Sequence, residues 1–232
     1  MQPPPQKEQE AGLEALCAAM AWRGFHYASF VRRGLLEEGL APLPPEATGK
    51  PLDCVYFSLV CRDDDYDDDS LLPAWYRWIQ ANTHALPRYG ACDLAFARFR
   101  PDTLIPATDP RLGPGGAFVE RPRYSESHLD PCYIFWDKVR AAGWCGVDVP
   151  DPNATDKLYM AAWEVPTVAV WDARAIEAAV VFPHAAGGAP FRYACETPRR
   201  LFGAAAAPEE EEARQKKKRW PRASYDAFSW SR

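Results

Sequence analysis

The stretch GFHYASFVRRGLLEEGL, residues 24–40, decides the predicted fold. Its first four residues are typical of the end of a strand, and Ser29 is a suitable N-cap for a helix that starts directly after it. Gly39 then ends the predicted helix. The apolar residues of this helix have helical spacing and predict one buried stripe: Phe30, Val31, Leu35 and Leu36. We therefore predict a strand that turns at His26-Tyr27 into a short helix.

On both sides of this stretch, strand and helix patterns mix irregularly. Apolar residues at helical spacing predict a helix over residues 13–22. Further helices are predicted over residues 72–83, which are rich in Trp and Tyr, 131–142 and 172–179, the last capped by Asp172. Alternating or β-rich runs predict strands over residues 52–61, 92–100, 157–165, 168–171 and 179–182. A doubly wound sheet would show a regular βαβ rhythm, which is absent. The pattern predicts an α+β fold with an irregular mixed or antiparallel sheet, short helices and long Pro/Gly-rich loops.

Composition fits a single globular domain with tails. The chain has 232 residues, of which 47% are hydrophobic, and it contains nine tryptophans. Its 23 prolines favour many loops, and residues 101–122 are predicted to be a long loop that covers a site. We predict a disordered lead over residues 1–11, an α+β domain over residues 12–205 and a charged and aromatic tail over residues 206–232.

Charge and cysteine usage exclude several classes of protein. A net charge of −5 gives no overall attraction to nucleic acid or an anionic membrane, so nucleic acid is left open only as an acceptor. No apolar run is long enough to span a bilayer, and the start lacks the pattern of a secretion signal. Seven scattered cysteines support neither zinc nor disulfides, and indicate reduced thiols in a cytoplasmic or nuclear protein. Residues 216–219 (KKKR) fit a nuclear-import signal or a solubilising tail equally well.

Among the four histidines, His26 has the most informative position. It ends a predicted strand beside Tyr27, where folds tend to present site residues. The alternative is a histidine hydrogen-bonded inside the fold. His84 and His184 are predicted to lie on the surface, and His128 lies in a polar loop.

Residues 25–40 resemble the opening of ADP-ribosyltransferase-type domains of the His-Tyr kind. Such domains begin with an apolar-His-Tyr-Thr/Ser strand, a short helix and a Gly-Leu exit. Their next strand carries an apolar-Tyr-Phe-Ser/Thr pattern, which residues 53–58 (DCVYFS) match. The resemblance implies an enzyme that cleaves NAD at the nicotinamide glycosidic bond and transfers ADP-ribose to an acceptor that the sequence does not identify.

The resemblance also implies roles for individual residues. His26, with Tyr27 beside it, would hold an NAD ribose hydroxyl and the carboxamide region. Tyr56 would stack on the cationic nicotinamide ring, with Ser58 completing that strand's motif. Glu164 would be the catalytic acid that orients the ribose and stabilises the oxocarbenium-like centre. NAD would therefore be a substrate, and no metal is implied.

Three features of the sequence each allow a purely structural interpretation as well as a functional one. Glu164 stands in an otherwise apolar predicted strand, where a charge is costly unless it is used, but it also fits a strand face exposed to solvent. Arg98 could bind a pyrophosphate, although the solvent side of an alternating strand is the favoured interpretation. The acidic run over residues 63–69 could chelate Ca²⁺, but it lacks the spacing of an EF-hand and fits a solvated loop better.

The alternative function is a non-catalytic protein-interaction module. Tryptophan and tyrosine are favoured anchors at protein interfaces, and the chain could present several of them on one surface. These aromatic residues are Trp75, Tyr76, Trp78, Trp220 and Trp230. The spacing of Trp75 and Trp78 also fits the buried face of a helix, so a place in the core stays open.

Overall fold

A computed structural model of the chain describes residues 6–33, 35–38, 45–51, 54–62, 71–113, 115–120, 133–150, 165–185, 190–194 and 198–202. All of them belong to one unit, residues 1–202. The helices are α1 (Gln6–Trp22), α2 (Leu35–Glu38), α3 (Ala74–Ala81), α4 (Leu86–Tyr89) and α5 (Trp136–Ala141). The strands are β1 (Tyr27–Val31), β2 (Val55–Arg62), β3 (Leu71–Pro73), β4 (Asp93–Phe99), β5 (Leu104–Pro106), β6 (Gly146–Val149), β7 (Thr167–Val170), β8 (Ile176–Phe182) and β9 (Arg199–Phe202).

The strands form one mixed sheet with the order β5-β6-β7-β2-β1-β4-β8-β9, and the short β3 pairs with the end of β2. Only β5 and β6 run parallel; every other pair in the described part of the chain is antiparallel. The α+β class and the mixed sheet predicted from the sequence are confirmed.

The two faces of the sheet bury different cores. One face, here called the inner face, is curled onto itself, so that Leu104 of β5 shares a cluster with Val181 of β8 although β5 and β8 are far apart in the strand order. The other, outer face is covered by helices. Leu13 and Met20 of α1 pack there with Phe96 of β4. At the β6–β7 side, α5 and the segment around residues 105–118 cover the same outer face.

The predicted helix from Ser29 is wrong. Residues 27–31 are instead β1, a central strand paired with both β2 and β4. Ser29, Phe30 and Val31 are all buried, since a central strand covered on both faces needs no exposed side. A short apolar run fits either a strand or a helix, and here partner strands decided the outcome. The helical part shrinks to α2, only four residues long.

Several other boundaries also moved. The first helix begins at Gln6, so it includes part of the predicted disordered lead. The predicted 101–122 loop contains β5, and Val119 forms a β-bridge with Ile134. The predicted 172–179 helix is a single 3₁₀ turn over Ala173–Ala175, after which β8 begins. Asp172 does cap that turn, because its carboxylate accepts a hydrogen bond from the Arg174 backbone N–H at 2.9 Å.

Asp93 ties the sheet to its connections at the start of β4. Its side chain is almost completely buried, and Oδ1 accepts a hydrogen bond from the backbone N–H of His184 at 2.8 Å. The guanidinium groups of Arg33 and Arg199 approach its two oxygens to 3.6 and 3.5 Å. A buried carboxylate is tolerated when such partners compensate its desolvation, so Asp93 has a sufficient structural role.

Gly146 allows β5 and β7 to pack tightly against β6. A Cβ at this position would lie 2.6 Å from the Ala169 carbonyl oxygen and 2.6 Å from Leu104 Cδ2. We expect Gly146→Ala to lower the free energy of unfolding by about 1–3 kcal/mol, because backbone atoms would have to separate. Urea denaturation measures the change.

Gly12 offers a matched control for the same substitution. It lies inside α1, and a Cβ there would meet nothing within 4 Å. Gly12→Ala is expected to raise the free energy of unfolding by about 0.5–1 kcal/mol, since alanine loses less backbone entropy in a helix. Equal effects of the two substitutions would contradict the close packing around Gly146.

Candidate functional site

The antiparallel pairing brings seven strand ends together. The N-terminal ends of β1, β7 and β8 lie at the same end of the sheet as the C-terminal ends of β2, β4, β5 and β6. We call this the His26 end, because His26 directly precedes β1 there. Side chains from distant parts of the chain can converge at such a shared end.

His26 and Arg98 are cross-strand neighbours at the His26 end. The register pairs Tyr27 with Ala97, so the backbone of His26 lies opposite Arg98, and His26 O accepts a hydrogen bond from Val60 N at 2.8 Å. Both side chains are exposed. The Arg98 guanidinium lies over the Phe25 ring, 5.0 Å from its centroid, and forms no ion pair with any described residue. The structure therefore brings His26 and Arg98, two of the predicted cofactor-binding residues, next to each other and leaves both side chains exposed to solvent.

Tyr27 and Asp148 face the interior of the curled sheet at the same end. Tyr27 packs with the inner core, its ring edge-on to Phe99 with centroids 5.4 Å apart. Val147 and Val149 belong to the outer core, so the side chain of Asp148 between them points to the inner face. Burial and, secondly, the charge of Asp148 raise the pKa of the Tyr27 hydroxyl.

Asp148 has an unsatisfied acidic group. Its Oδ1 is buried and has no hydrogen-bond partner among the described residues, and burial raises the pKa of the carboxyl from its ordinary value of 3.8. The carboxylate of Asp93 is compensated by arginines and a backbone N–H, but no described group does the same for Asp148 Oδ1. A native buried polar atom without a partner calls for an explanation, and binding a ligand donor is one.

Sequence reasoning missed Asp148, although a usable signal was present. Asp148 is an acid between apolar residues in a short β-rich run, the same criterion that singled out Glu164. The predicted strands did not include residues 146–149, because four residues are too few to show alternation clearly. Applied evenly along the chain, the criterion would have selected both acids.

Tyr56 and Ser58 lie on β2 but have partners inside the fold. The Tyr56 hydroxyl donates a hydrogen bond to the Pro51 carbonyl oxygen, and burial raises its pKa. Val60 lies opposite His26, so Tyr56 is four residues further along β2, roughly 13 Å away. Ser58 is fully buried, and its Oγ accepts the Trp75 backbone N–H at 3.0 Å, which satisfies a donor in the first turn of α3. The structure does not bring these two side chains to His26.

The remaining candidates fall outside the His26 end or outside the described residues. Glu164, His128 and residues 63–69 lie outside the described residues. The role of Glu164 as the acid of the predicted triad with His26 and Tyr56 therefore stays a prediction. His84 is exposed near Trp78, and the backbone of His184 binds Asp93. Neither histidine joins the candidate site.

The predicted aromatic surface is divided between core and boundary. Tyr76 is only 3% exposed, and Trp75 and Trp78 are partly buried against the same core with their rings 5.2 Å apart. Trp220 and Trp230 lie outside the described residues. Among the described residues, the large exposed hydrophobic side chains are instead Trp22 and Tyr133.

No described helix is long and apolar enough to cross a membrane. Within the same residues, no group of three or more His, Cys, Asp or Glu side chains is arranged to hold a metal ion. Comparison with protein-family models, with curated proteins and with solved structures found no match for this chain.

Proposed function

We propose that the chain is an ADP-ribosyltransferase-like enzyme that binds NAD at the His26 end of the sheet and cleaves its nicotinamide glycosidic bond. The observation that carries the proposal is Asp148 Oδ1, a buried carboxylate oxygen without a described partner that faces the interior beside Tyr27. A ribose hydroxyl is a donor that would satisfy this oxygen. A carboxylate is also the group that stabilises an oxocarbenium-like centre.

The proposed reaction needs no oxidant or reductant. The bond between ribose C1′ and the nicotinamide nitrogen breaks, and its electron pair goes to the nitrogen, which neutralises the pyridinium ring. A nucleophilic oxygen of the acceptor, or of water, forms the new bond to C1′ and releases its proton to solvent. With water the products are ADP-ribose, nicotinamide and one proton.

The residues at the His26 end supply distinct parts of this site. Asp148 stabilises positive charge at C1′, while Tyr27 offers an aromatic edge for the nicotinamide. His26 lies opposite Arg98 on the outer side of the rim and would hydrogen-bond a ribose hydroxyl from there, as the resemblance implies. Arg98 is on the outer face, across the rim of the sheet from Tyr27, where a guanidinium can take the pyrophosphate. Glu164 remains a second candidate for the catalytic acid.

Nicotinamide release by the purified chain tests the proposal. We expect His26→Ala to lower kcat/KM for NAD about 10- to 100-fold, because a hydrogen bond to the ribose strengthens in the transition state. His84→Ala is the matched control, since His84 is an exposed histidine in the Thr83–Ala85 turn outside the proposed site. It is expected to keep wild-type kinetics.

Two results would overturn the proposed function. One is a wild-type chain that neither binds NAD in calorimetry nor releases nicotinamide. The other is equal loss of activity in His26→Ala and His84→Ala, which would show a general effect of losing an imidazole. Glu164→Gln in the same assay decides whether Glu164 shares the acid's role with Asp148.

A further inference from the structure

The last turn of α1 presents an uncovered aromatic ring. Trp22 ends the helix with 82% of its surface exposed. Ala18 and Ala19, one turn earlier, are small and also exposed, so no long side chain of α1 covers the indole face. An indole this open leaves most of its hydrophobic surface in water, where a flat ring of a ligand can stack on it.

The backbone directly after Trp22 is fixed by the hydrogen bonds that end α1. Phe25 N–H donates to Met20 O at 3.0 Å and Gly24 N–H donates to Ala21 O at 2.9 Å, which is the Schellman pattern of a helix end. Gly24 has the positive φ of 82° that this motif requires. Phe25 and Met20 then pack in the same core cluster, and so the turn is anchored from below.

Two cationic side chains lie at the turn that follows Trp22. Arg23 follows Trp22 in the chain and is exposed. Arg98 Cδ lies 3.8 Å from the position that a Cβ would take on Gly24, which places this second guanidinium beside the same turn. Neither arginine forms an ion pair with a described residue. At physiological salt, exposed charges more than about 8 Å away are largely screened, so the net charge of −5 over the whole chain does not decide the local attraction at this turn.

We propose that Trp22 and Arg23 form a binding site for single-stranded nucleic acid, with Arg98 adding to its positive field. An aromatic face beside cations is the combination that binds an unpaired base and its phosphate. A duplex keeps its bases stacked on one another and cannot offer a free base face to Trp22. This site goes beyond the proposed NAD reaction: the two share Arg98, but Trp22 and Arg23 have no role in the reaction.

Fluorescence anisotropy with a labelled deoxythymidine oligomer of roughly 12 nucleotides tests the site, since single-strand sites span about 4–16 nucleotides. We expect Trp22→Ala to raise the dissociation constant about tenfold. We expect Arg23→Ala to reduce the slope of log K against log salt by about 0.7, as one phosphate contact is lost. Trp22 is on the surface, so both variants should fold, which thermal melting checks.

Two matched variants control for nonspecific effects. Tyr133→Ala removes the other large exposed hydrophobic side chain of the described residues, and Arg192→Ala removes an exposed arginine elsewhere. Both should bind the oligomer as wild type does. NAD binding by Trp22→Ala should also be unchanged, so failure of this inference and failure of the proposed function are separate results.

Three outcomes would overturn the nucleic-acid site. They are the absence of oligomer binding by the wild type, equal affinity in Trp22→Ala, and competition by a duplex of the same length as effective as by the single strand. A partner protein that binds wild type but not Trp22→Ala, without any binding of the oligomer, would assign the surface to protein recognition instead.

Discussion

Asp148→Asn is expected to lower the kcat for nicotinamide release about 100- to 1000-fold, the usual cost of removing a group that stabilises transition-state charge. Asparagine has nearly the same shape but carries no negative charge for the oxocarbenium-like centre. The KM for NAD should change much less, because the side-chain amide oxygen of the variant can still accept a hydrogen bond from a ribose hydroxyl. Steady-state kinetics of nicotinamide release measures both.

The same substitution is expected to stabilise the folded chain at neutral pH. Burial raises the pKa of Asp148 in the folded state above its ordinary 3.8, so the folded state carries a desolvation cost whenever the carboxyl is ionised. That cost is absent below the unfolded pKa, grows as pH rises through the folded pKa and is complete above it. Asp148→Asn should therefore raise Tm at pH about 7 and leave it unchanged at pH about 3.

Asp137 provides the matched control for the kinetic readout. It also has a buried carboxylate oxygen without a described partner, but it lies in α5, on the outer side of the sheet. Asp137→Asn should keep the wild-type kcat. If Asp148→Asn retained full turnover, or raised Tm equally at both pH values, the assignment of Asp148 as a charged site residue would be wrong.

Trp136→Ala is expected to lower the free energy of unfolding by about 3–5 kcal/mol, the range for truncating a buried tryptophan. Trp136 is 1% exposed and packs on Trp171 with ring centroids 5.8 Å apart. Its indole N–H donates a hydrogen bond to the Thr48 carbonyl oxygen at 3.1 Å, and the substitution also removes this hydrogen bond. Urea denaturation monitored by circular dichroism measures the loss.

Trp22→Ala is the matched comparison for Trp136→Ala. The same atoms are removed, but Trp22 is 82% exposed, so its loss should change the free energy of unfolding by less than about 0.5 kcal/mol. Trp136→Phe should fall between the two, since it retains a ring but loses the hydrogen bond to Thr48. Similar losses for Trp22→Ala and Trp136→Ala would contradict the assignment of Trp136 to the core.

Elements with a strong local pattern were predictable. Strand β4 lies within the predicted strand over residues 92–100, where Leu94 and Phe96, two residues apart, face the same core. Helix α3 lies within the predicted helix over residues 72–83, where Trp75 and Trp78 have the i, i+3 spacing of a helix face.

The short elements were not predictable in the same way. The sequence of residues 29–31 fits the capped start of an amphipathic helix as well as it fits a buried strand. Only the pairing of these residues with neighbouring strands makes them part of a strand. Strand β6 is four residues long, too short for its alternation to be distinguished from chance. Because Asp148 stands on this strand, the candidate site was incomplete in the sequence.

The sequence by itself determined the α+β class, because the mixture of strand and helix patterns depends on neighbouring residues. The local pattern predicts that His26 ends a strand, whereas in the structure His26 directly precedes the first residue of β1. Tertiary structure alone decided which side chains face the same side of the sheet. Asp148 and Tyr27 both face the inner side, although β7 and β2 separate their strands in the strand order. Strand pairing also places Tyr56 opposite Ala169 of β7, four residues along β2 from Val60, which lies opposite His26. Contacts of this kind depend on strand order and curvature, which no local stretch of sequence encodes.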